Sequence, residues 1–171
     1  TTQLSTPLPP EGDAAQAAAV EERLQRTLQQ GGLLVLTVHP RLARHADAEL
    51  QRRFATVQRI NFDALLLTEL RAQAKAMKVD WAVVLQADAA ERTSRHWTNL
   101  QRLVQRTLPA LRAALLHSPQ PILLVCAGLL ARYSLMHLVT ELEENAGRPG
   151  HTPSAWLLLP TSAQGLPDLG Y

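Results

Sequence analysis

A chain of 171 residues, 46% apolar and 19% charged, can enclose one core of ordinary size, and its length favours a single domain. A net charge of +2 is too small to make a nucleic-acid role the default, although the sequence pI is about 9.1. The lone Cys126 excludes an internal disulfide and a cysteine-based zinc site. No apolar run reaches membrane-spanning length and no leader precedes a small-residue cleavage site, so the expected compartment is the cytoplasm. The chain opens without Met in the proline-rich TTQLSTPLPPEG. Residues 1–12 read as linker-like, 13–171 as a single α/β domain, and the whole as a fragment of a larger protein.

The first predicted element is an amphipathic helix capped by Asp13, with Ala17, Val20, Leu24 and Leu28 on one face and Gly31-Gly32 as its stop. LLVLTV, Leu33 to Val38, is apolar apart from Thr37 and suits a strand covered on both faces. Pro40 fits the first turn of a helix in which Leu42, Ala46, Leu50 and Phe54 recur every four residues. TVQRINF alternates imperfectly, as a strand nearer a sheet edge would. Asp63 is placed to cap the next helix, whose buried side is marked by Leu66, Leu67, Leu70, Ala74 and Met77.

The middle of the chain is helical in pattern. Asp80 caps WAVVLQADA, and Thr93 or Ser94 caps a long helix carrying Trp97, Leu100, Val104, Leu108, Leu111 and Leu115, bent at Pro109. ILLVCA is the third buried strand, Ser134 caps a helix holding Leu138, Val139 and Leu142, and AWLLLP is the fourth strand. Strands separated by helices define an α/β class. The expected fold has three layers: a mainly parallel four-stranded sheet in the order 2-1-3-4, helices on both faces, and a helical insertion between strands 2 and 3.

In such a sheet a ligand cleft opens off the carboxyl ends of the strands. The candidate cleft residues are His39, Arg41, Asn61, Asp63, Cys126, Arg132, Thr161 and Ser162. Their selection is positional. Asp63 suits a helix cap at least as well as a base or metal ligand, His39 has no second ligand at metal spacing, and Cys126 reads as an inert thiol in an apolar strand. Phosphate cradles need converging glycine N–H groups, and CAGLLAR has one glycine and no Lys-Ser/Thr pair. HExxH, GxSxG, HRD and DFG are missing as well, so no catalytic residue, metal or cofactor is expected. Arg92, Arg95, Arg102 and Arg106 fall near one face of the long helix and form a candidate nucleic-acid contact, against the commoner reading of a solvated face. Trp81 and Trp97 are flanked by apolar residues and suit packing.

Several short words carry a resemblance: LLVLTV, FDALLLTELRAQAKAMKVDWAVVLQADA, NLQRLV, PILLV followed by GLLARY, then GRPG and WLLLP. From about Leu33 to Pro160 the chain resembles the C-terminal region of PglW, the serine/threonine kinase of type 2 BREX bacteriophage-resistance systems. The resemblance implies a multidomain parent kinase in an anti-phage operon that also encodes a methyltransferase, an ATPase and a phosphatase-like protein. It brings no kinase residue to this stretch, and the chain departs from the pattern by stopping soon after WLLLP. The function it implies is a non-catalytic accessory or interaction domain, with other domains of the parent or other defence proteins as partners. Two alternatives remain open: a DNA-contacting module working through the arginine helix, and a degenerate P-loop-like domain that senses a nucleotide without hydrolysing it.

Overall fold

The apolar spacing near the start forms helix α1 (Ala14–Gln30), which buries Val20 and Leu24. The computed structural model describes residues 6–7 and 14–161, so the expected cap at Asp13 lies outside the described residues. Gly31 ends α1 at φ 82°, with its N–H on the Thr27 carbonyl at 2.8 Å, a left-handed stop that glycine adopts without a Cβ penalty.

Among the described residues the sheet has five parallel strands: β1 (Thr6–Pro7), β2 (Gly32–Val38), β3 (Gln58–Asn61), β4 (Ile122–Val125) and β5 (Ser154–Pro160). Their order is β1-β2-β5-β4-β3, not the expected four-stranded 2-1-3-4. The four strands read from the sequence are all present. The last of them, however, lies between the first and the third, and the second lies at the edge beside the third. The expected order rested on right-handed crossovers, which do not say which strands take the interior, whereas the burial pattern does. Every residue of β4 is buried, as are all but one of β5, and these strands take the interior. Gln58 and Arg59 of β3 are exposed and suit an edge, and β1 pairs with the outer side of β2.

Alternate strand residues face opposite layers. Leu34, Leu36, Val38, Trp156 and Leu158 pack beneath α1 and α2 (Ala43–Arg53), where Phe54 meets the Trp156 ring edge-on at 4.9 Å. Leu33, Ile122, Leu124, Ala155 and Leu157 face the other layer. That layer holds α3 (Phe62–Ala76), α4 (Trp81–Ala89), α5 (Arg95–Gln105), α6 (Leu108–Leu116), α7 (Gly128–Arg132) and α8 (His137–Asn145).

Several boundaries differ from expectation for local reasons. The long helix is two: a prolyl ring clashes with the carbonyl four residues back, and α5 ends at Gln105, four before Pro109. The turn after Pro40 is a 3-10 turn (Pro40–Leu42), which shifts the buried face of α2 to Ala43, Asp47 and Leu50 and leaves Leu42 exposed. The buried Asp47 carboxylate takes three bonds from Arg59 of β3, from Nε at 3.1 and 3.2 Å and from Nη2 at 2.8 Å, and one from the Gln51 amide at 2.8 Å, tying the edge strand to α2. Ser134 does not cap α8. It ends α7 at φ 58°, with the Leu135 N–H on the Leu130 carbonyl at 2.7 Å, and α8 begins without a side-chain cap. Lys78 ends α3 in the same manner, at φ 56°.

The GRPG turn meets α1 at the amino ends of the strands. A Cβ on Gly31 would lie 2.8 Å from the Gly147 Cα, and Gly147 itself has φ 90°. Beside it the fully buried Thr152 gives its Oγ1 proton to the Leu115 carbonyl at 2.6 Å, accepts the Ser118 N–H at 3.0 Å, and takes the Gly147 N–H on its own carbonyl at 2.8 Å. Equilibrium urea unfolding checks both kinds of turn. Gly147→Ala is expected to lose about 1–3 kcal/mol through its left-handed backbone and the approach of Gly31. Lys78→Gly is expected to gain up to about 1 kcal/mol by relieving the left-handed lysine.

Candidate functional site

The carboxyl ends of the strands divide the predicted cleft residues into two groups. Val38 is in register with Pro160, so His39 and Arg41 follow β2 beside Thr161, whose N–H reaches the Val38 carbonyl at 2.8 Å. His39 is a cap: its Nδ1 accepts the Arg41 N–H at 3.2 Å. Asn61 is in register with Val125, which brings Asn61, Asp63 and Cys126 together at the end of β3 and β4. Ser162 lies outside the described residues. Arg132 joins neither group.

In the second group the cap of α3 is Asn61, whose Oδ1 accepts the Ala64 N–H at 3.0 Å, rather than Asp63. Asp63 sits in the first turn of that helix and reaches across to α7, where its Oδ1 accepts the Leu129 N–H at 2.9 Å. Its own N–H donates to the Cys126 carbonyl at 2.9 Å. Cys126 is a half-buried residue just past the strand, held at φ 52°. Burial pushes the Asp63 carboxyl above its ordinary value, against the pull of the Leu129 and Gly128 N–H groups. The N–H at the start of the short helix after β4 is thus already satisfied by a carboxylate of the chain.

Arg132 points into the helical layer. Its Nε donates to Asp88 Oδ1 at 2.8 Å, its Nη2 donates to the Asp88 carbonyl at 2.9 Å, and the Tyr133 hydroxyl donates to the same Asp88 Oδ1 at 2.6 Å. The guanidinium lies 5.7 Å from the Trp97 ring centre, with Arg92 over the same ring at 5.2 Å. Burial alone would raise the Asp88 carboxyl, but the bonds from Arg132 and Tyr133 outweigh it and hold the group below its ordinary value. Burial and the bond to Asp88 push the Tyr133 phenol up to about 12. Sequence reasoning missed Asp88, because its partners lie 44 and 45 residues away and no local spacing announces them.

The four arginines of the candidate nucleic-acid face are also divided. Arg92 precedes α5 and stacks on Trp97, while Arg95, Arg102 and Arg106 follow one stripe. Arg102 and Arg106 border a groove of about 440 Å³ between α4 and α5, floored by Val84, Leu100 and Leu103. Met77, expected on the buried side of α3, is 48% exposed at the lip of this groove, and Leu67 is 40% exposed.

The words of the sequence now have structural meanings. KVDW stops α3 at Lys78 and starts α4 with Asp80, whose Oδ1 accepts the Ala82 N–H at 3.0 Å, and Arg71 stacks 4.4 Å from the Trp81 ring centre. GLLARY is α7 with its Asp88 anchor, GRPG is the turn against Gly31, and WLLLP is the buried β5. The probable kinase PglW of Streptomyces coelicolor is 33% identical to the chain over 156 residues, or 86% of this chain. This chain is similar to PglW. It spans about a tenth of that relative's length, 10%. No protein-family model matches the chain, and no solved structure does. The resemblance to PglW read from the short words is borne out by this similarity over most of the chain.

Two sets of variants test the role of the carboxylates. Asp63→Asn keeps an acceptor for the Leu129 N–H without a buried charge and should unfold within about 0.5 kcal/mol of the parent at neutral pH, whereas Asp63→Ala should lose about 1–2 kcal/mol. Because the Tyr133 value is raised, the stability it adds is complete below about pH 10 and is lost as pH rises through about 12. Urea midpoints between these limits should fall more steeply for the parent than for Tyr133→Phe. The depressed Asp88 acts in the opposite sense, adding stability at neutral pH that is lost as pH falls through its lowered value, and Asp88→Asn should flatten that acid limb.

Proposed function

We propose that this chain is a non-catalytic accessory domain of a cytoplasmic BREX-type phage-defence kinase, corresponding to the C-terminal region of PglW and working through contacts with other domains or defence proteins. The observation that carries this reading is the 33% identity to PglW over 86% of the chain. Its recognisable words form turns, caps and a central strand rather than a catalytic constellation. The nucleotide-sensing alternative is disfavoured by Asp63, which already occupies the Leu129 N–H after β4, and by Arg132, which is committed to Asp88. A DNA-contacting role draws on Arg95, Arg102 and Arg106, yet the groove that Arg102 and Arg106 border is lined mainly by apolar side chains, with His96 and Asn99 as its other polar groups, which suits a phosphate backbone less well.

Deletion of this span from the parent kinase in a BREX-carrying host provides the test. Autophosphorylation of the purified deletion variant is expected to persist while the host loses its protection in phage-plating assays. Loss of autophosphorylation would place the span inside the catalytic unit and overturn the accessory reading, and so would full protection by the deletion variant.

A further inference from the structure

We propose that the groove between α4 and α5 is a docking site for an amphipathic partner helix whose apolar stripe is bordered by Asp and Glu. This deepens the accessory-domain reading and rests on it, since it names the face through which such a domain makes its contact.

The argument begins with α4. A surface helix normally shows an apolar stripe inward and polar residues outward. WAVVLQADA is apolar on several sides: Val84 and Ala87 are buried, while Val83 is 49% and Leu85 57% exposed. Val83 and the half-exposed Met77 stand on one lip of the 440 Å³ groove, so its apolar floor continues onto an apolar rim. An apolar surface of this kind, edged by charge, is the form of a helix-in-groove contact.

Charge identifies the occupant. Arg102 and Arg106 form the other lip, and no Asp or Glu lines the groove. Among the described residues neither arginine takes part in an ion pair. Arg95 lies on the same stripe, and at about 1.5 Å of rise per residue the three arginines extend along roughly 16 Å, about three helical turns. A partner helix with acids at matching intervals would satisfy the arginines and place its apolar stripe on the floor. Single-stranded nucleic acid fits less well, because no Phe, Tyr or Trp lines the groove for base stacking.

Fluorescence anisotropy with two labelled peptides of about 18 residues tests the proposal, both with Leu at helical spacing, one flanked by Glu and its twin by Lys. The Glu peptide is expected to bind about tenfold or more tighter than the twin, with the gap narrowing as salt rises. Val83→Asp should abolish binding of both, and the double variant Arg102→Glu, Arg106→Glu should reverse the preference. These side chains are exposed, so thermal unfolding of the variants should match the parent and separate lost docking from lost fold. Equal affinity for the two peptides, or no binding of either, overturns the proposal. So does displacement of the Glu peptide by a short DNA duplex whose binding needs Arg102 and Arg106, which would assign the face to nucleic acid. Self-association abolished by Val83→Asp would assign it to a second copy. None of these results depends on the deletion experiment, so the groove can fail while the accessory role stands.

Discussion

The seating of β5 between β2 and β4 is the constraint on which the sheet depends. β2 pairs with β5 from Gly32 opposite Ser154 to Val38 opposite Pro160, and β4 pairs with the other side of the same strand. Since β2 and β4 are not neighbours, removing β5 would leave two separate ribbons, β1-β2 and β4-β3. The bridging strand comes last in chain order among the described strands, and its ladder with β2 joins residues more than 100 positions apart, so a large loop entropy must be overcome to form it. Two local devices set its register. Gly31 and Gly147 approach closely enough to exclude a Cβ, and Thr152 is bonded to the end of α6 on one side and to the GRPG turn on the other.

Internal carboxylates settle much of the polar chemistry. Asp63 fills the N–H groups at the start of α7, Asp88 gathers Arg132 and Tyr133, and Asp47 grips Arg59. Each joins elements distant in sequence. Such groups are worth little as surface ion pairs but more when hydrogen bonds from several directions meet at one oxygen. The result is a set of fasteners between elements distant in sequence.

The apolar groove beside α5 is a different kind of feature. Its arginines are not balanced by nearby acids among the described residues, and its lip residues Met77 and Val83 are half exposed. Closed carboxylate knots between the layers thus contrast with an open, positively edged groove at the surface.

The sequence by itself determined the class of fold. Apolar runs at Leu33, Ile122 and Ala155 had to be buried on two faces, and the helical spacing of Leu66, Leu70, Leu100 and Val104 had to face a sheet. It also determined local punctuation: Asp80 as a cap, a second cap at Thr93 or Ser94 that the structure gives to Ser94, Gly31 as a stop, and the edge character of β3. Strand order was not determined, because periodicity records which residues are buried but not against which neighbour. Tertiary structure alone placed β5 in the middle, sent Arg132 to Asp88 instead of the cleft, and gave Asp63 to α7 rather than its own helix. Each of those outcomes joins residues many tens of positions apart, and such contacts are settled only when whole layers pack.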